Sequence, residues 1–163
     1  QEAISIHELG QELQALLLRA LEAQGIRLEQ AIDPGLQVSG PEAEVIRQVL
    51  FNLLMNGLDA SPRGGVLRIE GSRLGPHLEV RVIDEGPGIP DHLREAIWSL
   101  GFSTKRATVT GGLTPSLALG RSLLRELGGD LILHPQAPGV GACFSITLPL
   151  SPMGGTGGAP PQP

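Results

Sequence analysis

The sequence predicts an α/β domain, and three observations carry that expectation. Three long stretches repeat apolar residues at helical spacing, five short runs alternate apolar with polar residues, and 40% of the 163 residues are apolar, enough for one shared core. A formal net charge of −5, a pI near 5.3 and 12 scattered Lys and Arg leave no basic footprint, so no nucleic-acid partner is expected. Cys143 is the one cysteine, which excludes an internal disulfide; within "ACFSITL" it reads as a buried structural thiol and suits a reducing, cytoplasmic setting. No run approaches the roughly 20 apolar residues that span a bilayer, and no signal peptide is visible, so membrane contact is not indicated. The chain starts at Gln1 and is expected to be a piece of a longer protein.

The elements follow in order. Residues 5–24, "SIHELGQELQALLLRALEAQ", place Leu9, Leu13, Leu16, Leu17 and Leu21 on one face of a single helix that Gly25 closes. "IRLEQAI" (26–32) alternates as a short strand. Pro41 then opens a second helix, "PEAEVIRQVLFNLLMNGLDA", with Glu42 and Glu44 in its first turn. After "SPRGG", the runs "VLRIEGSRL" and "HLEVRVID" form a hairpin around Gly75-Pro76. Residues 90–112 carry a weak, mixed pattern. Pro115 to Leu127 reads as a third helix, followed by the strands "DLILH" and "ACFSITLPL". The tail 151–163, "SPMGGTGGAPPQP", is expected to be a disordered Gly/Pro-rich linker.

Two places in this pattern ask for chemistry. On the second helix, Val45, Ile46, Val49, Leu50, Leu53 and Leu54 form a core-facing stripe, while Gln48, Asn52, Asn56 and Asp59 follow at three- and four-residue steps beside it. Asparagine is a mediocre helix former, so this line is either a solvated polar face or a set of oxygen ligands for Mg²⁺. In "VIDEGPGIP" an alternating strand stops at Asp84 and Glu85 and then at Gly86 and Gly88. A carboxylate beside bare backbone can accept from an amino group while glycines admit a close neighbour. Dinucleotide and P-loop fingerprints do not fit: the third glycine of G-x-G-x-x-G is missing, Pro90 intervenes, and no G-x-x-x-x-G-K-[ST] exists.

Read together, "QVLFNLLMNGLDA", "VIDEGPGI", "IWSLGFSTK" and "GGLTPSLALGRSLLRELGGDL" resemble, in order and spacing, the N, G1, F and G2 boxes of the ATP-binding domain of sensor histidine kinases. The likeness runs from about residue 5 to 150. It implies a two-layer α/β sandwich, the Bergerat fold, in which a mixed, mostly antiparallel sheet is covered on one face by three main helices. Residues 1–24 would end a dimerisation hairpin and lead into an ATP-binding catalytic domain at 25–150. It further implies that Asp84 reads the adenine amino group, that Gly86, Gly88 and Ile89 contact the nucleotide with Asp59, that Asn56 ligates Mg²⁺, and that Asn52 contacts phosphate or Mg²⁺. Glu85, at the variable position of its box, would point to solvent. Gyrase-like and chaperone-type relatives place a glutamate at the position of Asn52 as a base for hydrolysis; an amide cannot take a proton, which favours phosphoryl transfer.

Phe102, Ser103, Thr104 and Lys105 match the "F-[ST]-T-K" of the nitrogen-regulator-like branch, so residues 90–113 would cover the ATP. Lys105 is then either a neutraliser of the terminal phosphate or a solvated loop lysine. His7 tempts as a phosphoacceptor, but the rest of that box is absent, and Ser5 with Glu8 makes an S-x-x-E capping box instead. His77, His92 and His134 lack metal-ligand spacing and read as surface residues. The last box departs from its pattern: Gly112, Leu113, Thr114, Pro115, Ser116 and Leu117 stand where the family has G-x-G-x-G-L. Thr114 and Pro115 suit a helix start, yet side chains now occupy the place of the phosphates. Two functions are therefore expected. One is a kinase domain giving the γ-phosphoryl of Mg-ATP to a histidine on a dimerisation domain outside this chain, with a response regulator receiver domain downstream. The other is a degenerate kinase-like domain signalling through protein contacts.

Overall fold

The computed structural model describes residues 3–99, 117–136 and 140–150. Strand β1 (Ala3–Ser5) leads into helices α1 (Ile6–Leu16) and α2 (Leu18–Gln24), then strands β2 (Arg27–Ile32) and β3 (Gln37–Ser39) and the long helix α3 (Gly40–Ala60). The hairpin β4 (Val66–Leu74) and β5 (His77–Ile83) follows, then two short 3₁₀ turns, helix α4 (Leu117–Glu126) and strands β6 (Asp130–Leu133) and β7 (Cys143–Pro149). Five strands form one sheet in the order β2-β4-β5-β7-β6, parallel between β2 and β4 and antiparallel elsewhere. The small pair β1 and β3 lies apart from it, and its short strands carried no alternation to read.

The expected first helix is broken. Successive steps of four residues overshoot a helical turn by about 40°, so on a straight axis Leu9 and Leu21 would face different directions. The helix is interrupted at Leu17 (φ −96°, ψ 7°), and Leu9, Leu13, Leu17 and Leu21 all stay buried. Leu16, expected on that face, is instead 66% exposed. The sheet's cover is thus α1 with α2, α3 and α4, three packing units made of four helices.

Helix α3 starts one residue before Pro41, at Gly40, because Ser39 and Glu42 close a full capping box: the Ser39 hydroxyl accepts from Glu42 N–H, and Glu42 accepts from Ser39 N–H at 2.9 Å. It is buried more widely than one stripe, since Met55 and Leu58 join Ile46, Val49, Leu50, Leu53 and Leu54 in the core. The expected hairpin is present with Leu74 opposite His77, and Gly75 takes the positive φ of 60° that this two-residue turn needs.

Alternation along the strands divides the sheet's two faces. Leu67, Ile69, Leu78, Val80, Leu131, Ile146 and Leu148 are buried in one cluster with the helices. Residues between them on the other side include Arg68, Glu70, Glu79 and Arg81, which pair with one another and with β2 instead of packing under helices.

Candidate functional site

The C-terminal half of α3 meets the end of β5 where the chain leaves the sheet. Asp84 is anchored there to a strand far away in sequence. Its N–H donates to Ala142 O at 3.0 Å, and its Oδ1 accepts from Ala142 N–H at 3.1 Å and from Gly86 N–H at 2.8 Å. Backbone donors from two segments therefore orient the carboxylate, which removes most of the entropy a free side chain would lose on meeting a ligand. Asp84 lines a cavity with Asn56 and Ala60 of α3. Its apolar walls are Ile89, Ile97, Leu117 and Phe144, and Gly88 and Ala142 bound it with little or no side chain. A wider hollow of about 280 Å³ lies behind the Gly88–Ile89 turn, where Arg94 donates to Leu133 O at 2.8 Å.

The glycines here act in three different ways. Gly88 sits at φ 85°, a conformation other residues rarely adopt. Gly86 makes room for α3: a Cβ there would stand 2.6 Å from Ala60 O, so its missing side chain admits the helix end and not the cavity. At Gly141 a Cβ would fall on the carbonyl of Asp84. This last position, invisible in the sequence except as one more glycine before a strand, decides how closely β7 approaches the carboxylate.

Of the residues singled out in the sequence, Asn56, Asp84, Gly88, Ile89 and Leu117 are gathered around this cavity. Asn52, one turn earlier on α3, is only 3% exposed, so the solvated-face alternative does not hold for it. Asp59 is half-buried on the same helix and does not line the cavity, and Gly86 is adjacent to it. Phe102, Ser103, Thr104, Lys105, Gly112, Leu113, Thr114, Pro115 and Ser116 lie outside the described residues. Sequence reasoning missed Ala60, Ile97, Ala142 and Phe144, ordinary apolar residues whose place in the cavity arises from three separate segments.

Two other expectations change. Glu85 is exposed, but its carboxylate accepts from Val66 N–H at 3.1 Å and so ties the turn to the start of β4. His134 is no isolated surface residue. Its Nε2 lies 2.6 Å from the fully buried Ser145 Oγ, which donates to Glu79 Oε2 at 2.9 Å. Because the hydroxyl hydrogen goes to Glu79, Oγ accepts and His134 carries its hydrogen on Nε2. Cys143 is buried as expected, and that burial, ahead of any neighbouring charge, pushes its thiol pKa up and makes the thiolate scarce. Among the described residues no group of three or more His, Cys, Asp or Glu could hold a metal ion by itself, and no helix is long and apolar enough to cross a membrane.

Residues 42–152 match the model of the histidine kinase-, DNA gyrase B- and HSP90-like ATPase family. The chain belongs to that family. Among curated relatives, the sensor protein CitS of Halalkalibacterium halodurans is 36% identical over 82% of this chain and 26% of its own length. Sporulation kinase C of Bacillus subtilis is 34% identical over 71% of this chain and 26% of its own. This ATPase-family domain thus spans about a quarter of either protein. The solved catalytic domain of the histidine kinase ThkA superposes with a TM-score of 0.79 at 25% identity, covering 94% of this chain and 97% of that one. ThkA solved in complex with the response regulator protein TrrA covers 93% of this chain and 42% of that one, with a TM-score of 0.75 at 25% identity. The two-layer architecture and the family resemblance expected from the four boxes are both present: this is the fold of a histidine-kinase catalytic domain.

Proposed function

We propose that this domain binds Mg-ATP and passes the γ-phosphoryl group to a histidine on a dimerisation domain of its parent protein, within cytoplasmic two-component signalling to a response regulator. The observation that carries the reading is the cavity at Asp84. The enclosed space is small, about 60 Å³, but its lining offers what a flat heterocycle bearing an amino group would meet: Ile89, Ile97, Leu117 and Phe144 supply apolar faces and the fixed carboxylate supplies an acceptor. Asn52 and Asn56 are spaced to lie on one side of α3. With no carboxylate cluster among the described residues, Mg²⁺ would be held by amide oxygen together with the nucleotide's phosphates, as small hard cations commonly are.

The chain's own part in the reaction is to bind and to orient. When bound, Mg-ATP supplies the phosphoryl group and the charge neutralisation that its transfer needs. Asp84 would accept from the base amino group, the apolar walls would exclude water from its faces, and Asn56 would offer a carbonyl oxygen to the metal. Asn52 can donate or accept a hydrogen bond but cannot take a proton from water, which disfavours hydrolysis and leaves the acceptor to be supplied by another segment. Lys105 would neutralise charge at the terminal phosphate.

A protein-contact module with weak nucleotide binding is the second reading, favoured by Thr114, Pro115 and Ser116 in place of phosphate-facing glycines. Calorimetry with ATP and a non-hydrolysable analogue, with and without Mg²⁺, separates the two. The kinase reading expects Mg²⁺ to strengthen ATP binding, and expects Asn56→Ala to lose most of that increment while metal-free affinity changes less. If neither nucleotide binds the unmodified domain, the second reading takes over.

A further inference from the structure

Arg121 of α4 lays its guanidinium over the indole of Trp98, 3.9 Å from the ring centroid. Trp98, the only tryptophan of the chain, ends the 3₁₀ turn Ala96–Trp98 and meets Phe144 edge-on, with centroids 6.4 Å apart and planes at 82°. Arg121 is steadied from behind, its Nε 3.2 Å from Asp130 Oδ1. Asp130, Arg121, Trp98 and Phe144 thus form one continuous stack from the first residue of β6 to a wall of the Asp84 cavity.

What the stack joins gives it a consequence beyond packing. Trp98 follows Ile97, and Arg121 lies four residues after Leu117, one turn along the same side of α4. Ile97 and Leu117 come from elements on either side of residues 100–116, yet both line the cavity with Phe144. Arg121 is only 26% exposed, against 55% for Arg125, its neighbour on Asp130. Partial desolvation strengthens a cation over a ring, and Arg125 has no such ring beneath it among the described contacts.

We propose that Arg121 is a positioning residue for the nucleotide: by stacking on Trp98 it sets the spacing between Ile97 and Leu117, and so the width of the slot that takes the base. The proposal rests on the nucleotide reading of the cavity given above. Phe144 belongs both to the stack and to the cavity wall, so whatever the stack adds to nucleotide binding, bound nucleotide returns to the stack, and the indole against Phe144 reports both. Since the walls touch the base and not the phosphates, disturbing them weakens adenosine, ADP and ATP alike.

The test is titration of the unmodified domain, Arg121→Leu, Arg121→Lys and Asp130→Asn with adenosine, ADP and Mg-ATP, followed by calorimetry and by Trp98 fluorescence. Arg121→Leu is expected to weaken all three ligands by a common factor of about two to ten. Saturating ADP should change Trp98 emission in the unmodified domain and change it less in Arg121→Leu. Arg121→Lys, which keeps a cation over the ring, should recover part of both signals, and Asp130→Asn should fall between. If Arg121→Leu does not fold, the lysine and asparagine variants carry the same comparison. Wild-type affinity in folded variants, with only their melting temperature lowered, would reduce the stack to a structural role and overturn the proposal. Loss confined to Mg-ATP would overturn it too, by placing the effect at the phosphates. Failure of the unmodified domain to bind any of the three ligands removes the nucleotide reading first and this inference with it.

Discussion

The two faces of the five-stranded sheet are built from the same alternating strands and are held in different ways. On the helix side, Leu67, Ile69, Leu78, Val80, Ile146 and Leu148 are fully buried against α3 and its neighbours. On the other side Glu29 accepts from Arg27 at 3.0 Å and from Arg68 at 2.9 Å, Arg68 also pairs with Glu70, and Arg81 pairs with Glu79. Apolar burial is worth about 1.5–3 kcal/mol per large side chain, whereas exposed ion pairs such as those of Glu29 contribute about 0–1 kcal/mol each. Stability therefore resides mainly on the helix face, with Glu79, 11% exposed, the partly buried exception on the other. The candidate site opens at the end of that face, where β5 runs out from under α3 and rigid packing can hold Asp84 without covering it.

The sharpest way to break the comparison is to cut into the packed face. Leu54→Ala, at a side chain with no exposure, is expected to cost about 2–5 kcal/mol, read as a lowered urea midpoint with an unchanged slope. A loss below that of an ordinary surface substitution would mean that α3 is not the core of the domain. At the edge of the same face, Asp84→Asn should weaken ATP binding by about 1–3 kcal/mol. Global stability should change less, because the amide oxygen can still accept from Gly86 and Ala142. Equal binding by mutant and unmodified protein in calorimetry would remove Asp84 from base recognition.

The charged face should respond more weakly, with one exception within it. Ser145→Ala takes the hydroxyl from between Glu79 and His134 in a buried position, and is expected to cost about 1–2 kcal/mol in a urea titration. Glu29→Gln, at a carboxylate 37% exposed, should stay within about 1 kcal/mol of the unmodified protein, and less in high salt. A large effect there would contradict the division between the faces.

The smallest expected effect is a pH dependence at Asp130. Burial raises this carboxyl's pKa, but hydrogen bonds from Arg125, Leu131 N–H and Arg121 outweigh it, so the folded value lies below the ordinary 3.8. A group whose folded pKa is depressed adds stability above its unfolded value and loses it as pH falls through the folded one. The stability difference between unmodified protein and Asp130→Asn should then be constant near neutrality and shrink below pH 3.8. A difference that persists unchanged into acid would assign the effect to packing and not to charge.

Much of the fold was legible because periodicity records burial directly. The stripe on α3, the hairpin at Gly75 and the strands β6 and β7 lie where the pattern placed them. The break at Leu17 was not legible, since three consecutive leucines, Leu16 to Leu18, satisfy a continuous helix and an interrupted one equally well; only the core chooses Leu17 and leaves Leu16 out. The same holds at the candidate site. Asp84, Gly88 and Asn56 stand out by residue type and spacing, while Ile97, Ala142 and Phe144 are apolar residues of a kind found throughout the chain.

By itself, the sequence determined the classes of element, the family of the domain, and the polar residues that a nucleotide site would need, because these depend on local spacing and on functional groups that each residue carries. Tertiary structure decided what those residues become. Asp84 acquires its orientation from Ala142, 58 positions away, Gly141 matters because a strand passes over a carbonyl, and Arg121 matters because an indole from another element lies beneath it. Such meanings come from contacts between distant segments, and no window of local sequence contains them.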